Sequence, residues 1–383
     1  MREWPKVSAG ELQASGKLLV EDGNHGEYRP RPHEFTDQGA AYIRAADLRG
    51  GVIDFNGAAK ITDSALGRIR KGIGEPRDVI LTHKGTVGTV AIAPFDCPSY
   101  VCSPQTTFWR SLDPHQLSQD FLFYVVRSRN FQEQLDRAAH QTDMAPYASL
   151  TDQKSLQIPL PPLPEQQAIA EVLGALDDKI AANRALDSTI EELSESLYRR
   201  AVGNAEETAP FGNFLKFSYG KALKSEDRVP GDVKVLGSGG VTGWHDRALV
   251  DHSGIVVGRK GSMGSVHWVD GPHFPIDTAY SVENLTPLPD AFWLFALAKA
   301  GFPSMNSDSA VPGLNRDRAL AVHTPVPLDT GEFNAVVPPL FETRAATQRE
   351  SDSLSSLRDT LLPALMDGTI RVKDAEKAVS DVM

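Results

Sequence analysis

Residues 158–200 read IPLPPLPEQQAIAEVLGALDDKIAANRALDSTIEELSESLYRR, and this stretch decides the fold. From 165 to 200 the apolar residues Ile169, Val172, Leu173, Leu176, Ile180, Leu186, Ile190, Leu193 and Leu197 recur at helical spacing. With only Gly174 inside and no proline after 164, this predicts one helix of about 36 residues, roughly 54 Å long at about 1.5 Å per residue. Pro159, Pro161, Pro162 and Pro164 are a stiff lead-in that holds the helix off until its first turn, where Glu165 suits the positive end of the helix dipole. The apolar stripe is narrow. On a helix this long, that points to a coiled-coil seam rather than to burial in a globular core.

Working outward, the same pattern returns near the C-terminus. Leu176, Ala181, Ala182, Ile190, Leu193 and Leu197 align with Leu340, Ala345, Ala346, Leu354, Leu357 and Leu361, each pair 164 residues apart. Ser149-Leu150 aligns with Gly313-Leu314 and Ser155-Leu156 with Ala319-Leu320 at the same offset, and Ile158-Pro159 is matched to Thr324-Pro325. The second helix is expected over 340–366, introduced by Pro338-Pro339 and ended by Asp367-Gly368. Upstream, LTHKGTVGTVAI (81–92) resembles VVGRKGSMGSVHW (256–268) at an offset of 176. The chain is therefore one design written twice. The expected divisions are a first module at 1–160, a first long helix at 161–205, a second module at 206–327, and a second long helix with its tail at 328–383. Short Val- and Ile-rich runs bounded by Gly, Pro and Asp read as strands, and 120–135 and 289–299 read as one helix per module. The fold class is α+β: two mixed α/β modules joined by two long antiparallel coiled-coil helices in a pseudo-twofold repeat.

With 383 residues, two domains of ordinary size are expected. No long apolar run spans a membrane and the N-terminus lacks a signal-peptide pattern, which points to the cytoplasm. Cys97 and Cys102 are too few for a disulfide framework or a zinc site and read as core residues or free thiols. The net charge of −11 at first argues against nucleic acid. Its distribution weakens that objection. Residues 17–160 carry 16 basic against 17 acidic side chains and 208–327 carry 11 of each, whereas 161–207 carry 4 against 10 and 328–383 carry 6 against 10. The acid sits on the helices, and neutral modules are free to present a local basic face.

The paired loops Lys84-Gly85-Thr86-Val87-Gly88 and Arg259-Lys260-Gly261-Ser262-Met263-Gly264 lie between strands. Their glycines let backbone N–H groups approach a phosphate beside a basic residue. The plain alternative is a hairpin turn needing positive φ, with a solvated lysine. For one copy the turn is the stronger reading, and recurrence brings the two level. No catalytic constellation is found: no GxSxG elbow, HExxH or dinucleotide fingerprint. Val337-Pro338-Pro339-Leu340 lacks the polar residue and the aromatic of an amino-methyltransferase motif and reads as a helix lead-in. His245, His252, His267 and His273 have no metal-binding spacing. Amide, hydroxyl and aromatic residues gather at 105–107, 141–149, 244–245 and 306–318. These types read base edges, and they are also ordinary loop composition.

Taken together, 158–200 looks like the conserved helical region of specificity subunits of type I restriction-modification systems. VLGSGGVTGWHDRALVDHSGIVVGRKGSMGSVHWVDGPHFPIDTAY (235–280) resembles one type of their target-recognition domain, AAYIRAADLRGGVID (40–54) the opening strands of another, and SAVPGLNRDRAL (309–320) its closing segment. The resemblance covers nearly the whole length. It implies a non-catalytic reader of double-stranded DNA, each module contacting one half of a bipartite asymmetric site. The helices would set the gap and dock two methyltransferase subunits. No cofactor is expected on this chain: S-adenosylmethionine, and ATP with Mg for restriction, would sit on partner subunits, joined where present by nuclease and translocase subunits. The candidate DNA contacts are Arg44, Lys84, Gly85, Thr86, Gln105, Thr106, Tyr147 and Ser149 in the first module. In the second they are Trp244, His245, Arg259, Lys260, Gly261, Ser262, Asn315 and Arg316. The candidate spacer and partner-docking positions are Leu176, Ile180, Ile190, Leu193, Leu197, Leu340, Leu354, Leu357 and Leu361. One departure stands out: 326–350 lacks the Pro-Glu-Gln start of the first helix, which leaves its docking role less defined. The competing reading is a scaffold or inhibitor that binds methyltransferase subunits without reading DNA.

Overall fold

The computed structural model describes residues 4–23, 26–140, 145–203, 205–305, 313–327 and 329–382. They form two compact units, Met1–Ile180 with Asp352–Met383, and Ala181–Ser351. Each unit holds one globular module and part of both long helices. No helix among the described residues is long and apolar enough to cross a membrane.

In the first unit, Val79–Lys84 (VILTHK) is buried at every position except Lys84. It lies inside a four-stranded sheet ordered Leu18–Asp22, Thr106–Ser111, Val79–Lys84, Thr86–Ile92, all antiparallel. Because side chains alternate along a strand, Val79 and Leu81 join the core formed with the helices, while Ile80 faces a second core with Ala41, Ile43 and Tyr100. Burial on both faces is why this strand reads as a continuous apolar run. A second four-stranded sheet is ordered Tyr100–Cys102, Ala40–Ile43, Ala59–Ile61, Phe35–Thr36, its first pair parallel. Cys102 is buried and Cys97 half-buried, and both are free thiols.

The second unit repeats the main sheet in the same order, Leu215–Tyr219, Ala279–Asn284, Gly254–Gly258, Val266–Val269. Ile255 and Val257 face the helical core and Val256 the opposite one, as Val79, Leu81 and Ile80 do in the first unit. A three-stranded sheet, Gly240–His245, Val233–Gly237, His273–Pro275, lies beside it.

The first long helix is Leu163–Val202. It starts just ahead of Pro164, which is tolerated in a first turn whose N–H groups have no intrahelical partner. Its apolar stripe is not confined to a helix–helix seam. Ile169, Leu173, Leu176 and Ile180 belong to the first unit's core together with Phe121, Val125, Leu354 and Leu361. The second long helix corrects the sequence reading. It spans Gly331–Met366, so Pro338 and Pro339 lie inside it rather than ahead of it. The extension is held by Phe333, Val337 and Phe341, spaced four apart and buried in the second unit's core. That burial offsets the roughly 3 kcal/mol an interior proline costs.

Two further corrections concern boundaries. The single helix read at 120–135 is two, Gln119–Arg127 and Arg129–Ala139. Ser128 leaves the helical conformation between them, and its hydroxyl accepts from the Phe131 amide and donates to the Val125 carbonyl. The offset of 164 does not extend to the segments before the long helices. Ser149 and Asn315 are the N-caps of the short helices Leu150–Ser155 and Arg316–Leu320, and they stand 166 apart. The strands that follow, Gln157–Pro159 and His323–Pro325, pair antiparallel with Lys6–Ser8 and Thr208–Pro210 and keep that spacing.

Candidate nucleic-acid interface

The recurrent loop sits at one end of the main sheet in each unit. Val79–Lys84 turns into Thr86–Ile92 through Gly85 alone, at φ 80°. Gly254–Gly258 reaches Val266–Val269 through a longer loop in which Gly261 has φ 78°. Both glycines adopt the left-handed conformation that disfavours a Cβ, so the turn reading holds in both copies.

The two loops are anchored alike. The His83 amide donates to Gln105 O at 2.9 Å and the Ala148 amide to His83 O at 3.0 Å. In the second unit the Arg259 amide donates to Thr278 O and the Leu314 amide to Arg259 O, both at 2.8 Å. Lys84 bridges to Tyr147 and Lys260 to Gly313. Lys84 and Lys260 therefore occupy one structural position, at the offset of 176 seen in the sequence.

Around Lys84 the first unit gathers several predicted residues. The ammonium lies 5.7 Å from the centre of the Tyr147 ring, which is 44% exposed. Lys84, Gly85, Thr86 and Gln105 are exposed as well. Arg44 stands apart from this group, exposed on another part of the unit with its guanidinium over Phe35 at 5.5 Å and Tyr42 at 5.8 Å. Three predictions fail here for want of free groups. Thr106 is fully buried, its hydroxyl donating to Ser103 O at 3.1 Å. Ser149 caps a helix and exchanges hydrogen bonds with Asp152. The Gly85 amide is spent on Pro146 O at 3.0 Å and is not free to meet a phosphate. Residues 141–144 of the predicted segment lie outside the described residues.

In the second unit, Arg259 and Arg316 converge on Tyr219, their guanidinium carbons 5.0 Å and 5.5 Å from its ring centre. Lys260, Gly261 and Ser262 are exposed next to them. Tyr219 escaped the sequence reading. It is the exposed last residue of Leu215–Tyr219, and its partners come from loops far along the chain. The only local signal was an aromatic at a strand end followed by Gly220. Tyr280 supports it from beneath at a ring distance of 5.1 Å, with its hydroxyl donating to Leu314 O at 2.8 Å. Burial first, then Tyr219, pushes the Tyr280 phenol up to about 12. Trp244 is 50% exposed on Gly240–His245, but His245 beside it is buried, its Nδ1 accepting from the Val229 amide. Asn315 is exposed, though its side-chain oxygen is committed to the Arg318 amide. Residues 306–312 lie outside the described residues.

On the long helices, Leu176, Ile180, Ile190, Leu197, Leu354 and Leu361 are buried, Leu340 and Leu357 are half-buried, and Leu193 is 45% exposed. Leu193 is therefore open to solvent, as is Leu186 of the same apolar stripe, at 41%. Among the described residues no three His, Cys, Asp or Glu side chains converge as a metal site would require.

Residues 15–192 match the family profile of the type I restriction modification DNA specificity domain. Two curated relatives come from Methanocaldococcus jannaschii. The type I restriction enzyme MjaIX specificity subunit is 27% identical over 184 residues, 47% of this chain and 40% of that protein. The MjaVIII specificity subunit is 22% identical over 205 residues, 51% of this chain and 47% of that protein. The matched region thus spans less than half the length of either relative. In fold, the chain is similar to the crystal structure of a type I restriction-modification system S subunit from M. genitalium, with a TM-score of 0.62, 21% identity, and coverage of 94% of this chain and 96% of that one.

Proposed function

We propose that this chain is a member of the specificity-subunit family of type I restriction-modification systems, and that it is the DNA-reading, non-catalytic component of such a complex. Each module reads one half of a bipartite, asymmetric site in double-stranded DNA. The two long helices set the gap between the halves and dock two methyltransferase subunits, which carry S-adenosylmethionine. Nuclease and translocase subunits, with ATP and Mg, join for cleavage. The cytoplasm is the compartment this reading assigns.

The observation that carries the proposal is the duplicated loop. Lys84 and Lys260 stand exposed at the same end of the same sheet in both units, each beside a tyrosine-bearing surface. The surroundings differ between copies, as two readers of different sequences require. Acidic long helices also suit a protein-docking spacer better than a DNA-facing surface. The sites of contact are Lys84, Thr86, Gln105, Tyr147 and Arg44 in the first module, and Arg259, Lys260, Gly261, Ser262, Arg316 and Trp244 in the second.

Long-read mapping of methylated adenines in a host that expresses the chain with its methyltransferase partner tests this. A split motif modified on both strands is expected. Exchange of residues 208–327 for another module changes one half of the motif only, and insertion of helical residues near Leu186 changes the gap. An active complex that methylates one continuous site would overturn the bipartite reading. Unchanged partner binding with no specific DNA footprint would favour a non-reading scaffold.

A further inference from the structure

Two guanidiniums on one exposed phenol ring is an arrangement that asks for an anion. Arg259 and Arg316 both lie within 5.5 Å of the Tyr219 ring centre. Like charges held on one ring repel, and the attraction of each guanidinium for the ring is what keeps both there. Arg259 donates to the Asp277 carbonyl at 3.0 Å, a neutral partner, and Arg316 pairs with Asp317 at 3.1 Å. Among the described residues no ion pair is formed by Arg259 or by the neighbouring Lys260. The cluster therefore carries surplus positive charge on a module that is neutral as a whole.

The cluster is also built rather than incidental. Tyr219 is fixed by its strand pairing with Tyr280 and by the ring contact between them. Tyr280 is in turn tied to Leu314, the residue that receives the loop through its bond to Arg259 O. Arg316 opens the short helix capped by Asn315, which sets its direction toward the ring. In the first unit the corresponding position offers one cation, Lys84, on a tyrosine that comes from a different segment, Tyr147. Both copies place a cation on a tyrosine here, yet they recruit the ring from unrelated places in the chain.

We propose that Tyr219, Arg259 and Arg316 form a clamp for one or two phosphodiesters of the bound duplex, with Tyr219 as the positioning residue that holds the two arginines as donors. The proposal rests on the DNA-reading function given above and deepens it. The second module supplies more of the salt-dependent affinity than the first, because it brings three cations to the position where the first brings one.

Phosphate binding of this kind does not depend on sequence, so a labelled mixed-sequence 40-base-pair duplex is a suitable probe for the full-length chain. The slope of log affinity against log salt falls by about 0.9 for each phosphate the protein ceases to neutralise. Arg259→Ala and Arg316→Ala are each expected to lower the slope by about 1. Tyr219→Ala weakens binding about two- to fivefold, the size of one exposed cation–ring interaction, and Tyr219→Phe restores it. Lys216→Ala serves as a control. Lys216 is paired with Glu283 on the same sheet, and its removal leaves the slope unchanged. Circular dichroism checks that each variant is folded. Inorganic phosphate at matched ionic strength is expected to compete no better than chloride. A slope that survives both arginine substitutions in a wild-type chain that binds DNA overturns the clamp and leaves the reader standing. Selective competition by inorganic phosphate overturns it too, as a site for free phosphate. A wild-type chain with no affinity for duplex overturns the reader and the clamp together.

Discussion

Asn183 and Thr347, which occupy the same place in the two copies of the long helix, touch each other: the Asn183 amide lies 3.4 Å from the Thr347 carbonyl oxygen. In an antiparallel pair, residues meet their own repeat counterparts only around the point where the two copies cross. Asp187 pairs with Arg344 at 2.6 Å and Arg200 with Glu332, so within the second unit partners fall along one helix as they rise along the other. Asn183 is 5% exposed, and its amide also reaches Glu350 at 2.7 Å and Ser351 at 3.2 Å. A buried amide with specific partners on the facing helix favours one register over its neighbours.

Asn183→Ala removes those bonds and leaves buried acceptors behind, so a loss of about 1–2 kcal/mol in unfolding free energy is expected. Asn183→Leu refills the volume and stays within about 1 kcal/mol of wild type. Its effect belongs instead to register, which under the proposed function is read as heterogeneity in the gap of the methylated motif. Urea denaturation separates the two, and an Asn183→Ala chain as stable as wild type would remove the amide from the account.

Much of this was legible beforehand, for identifiable reasons. The long helices, the duplication and the hairpin glycines announce themselves through local periodicity and turn chemistry. Thr106 and Ser149 misled because hydroxyl residues that read bases are the same ones that cap helices and satisfy buried backbone. Tyr219 stayed hidden because its partners arrive from residues 259 and 316, and no local pattern records that convergence. The start of the second helix was missed because two prolines outweigh local helix signals, while Phe333 and Val337 gain their burial only from tertiary packing.

Asp177 and its repeat counterpart Phe341 tie the long helices to their modules by different chemistry. In the first unit Arg127 and Arg358 each donate to Asp177 at 2.7 Å, and Tyr124 donates at 2.9 Å. In the second, Phe341 packs against Trp268 and Phe295. Burial raises the Asp177 carboxyl, but the charges and hydrogen bonds of Arg127 and Arg358 outweigh it, and the net shift is downward. A carboxylate with a lowered folded-state value contributes stability above its unfolded value, about 3.9, and loses it as pH falls through the folded value. Asp177→Asn is therefore expected to cost about 2 kcal/mol at pH 7 and to converge on wild type in strong acid. Phe341→Ala costs about 3–5 kcal/mol, with no such pH dependence. Denaturation midpoints at pH 7 and pH 2.5 test the contrast, and a pH-independent Asp177→Asn defect would sink it.

Phe333 tests whether the stretch before Pro338 is helix packed in a core or a mere lead-in. It is 1% exposed and its ring meets Phe292 at 5.5 Å. Phe333→Ala is expected to destabilise by about 3–5 kcal/mol. A loose lead-in would give a change below about 0.5 kcal/mol.

The duplicated loops separate structure from binding within a single turn. Lys84 ends an otherwise buried strand with its ammonium over Tyr147, so Lys84→Ala and Lys260→Ala are expected to leave stability within about 0.5 kcal/mol. Each lowers the slope of log affinity against log salt by about 0.9. Gly85→Ala does the reverse. At φ 80° an alanine is strained by about 1–2 kcal/mol, and since the Gly85 amide is already bonded to Pro146, the substitution takes no donor away from a phosphate. Thermal melts read alongside salt titrations distinguish the pairs. If Lys84→Ala and Lys260→Ala leave affinity and slope untouched in a chain that binds DNA, the loops are turns alone, and their recurrence reflects the shared sheet.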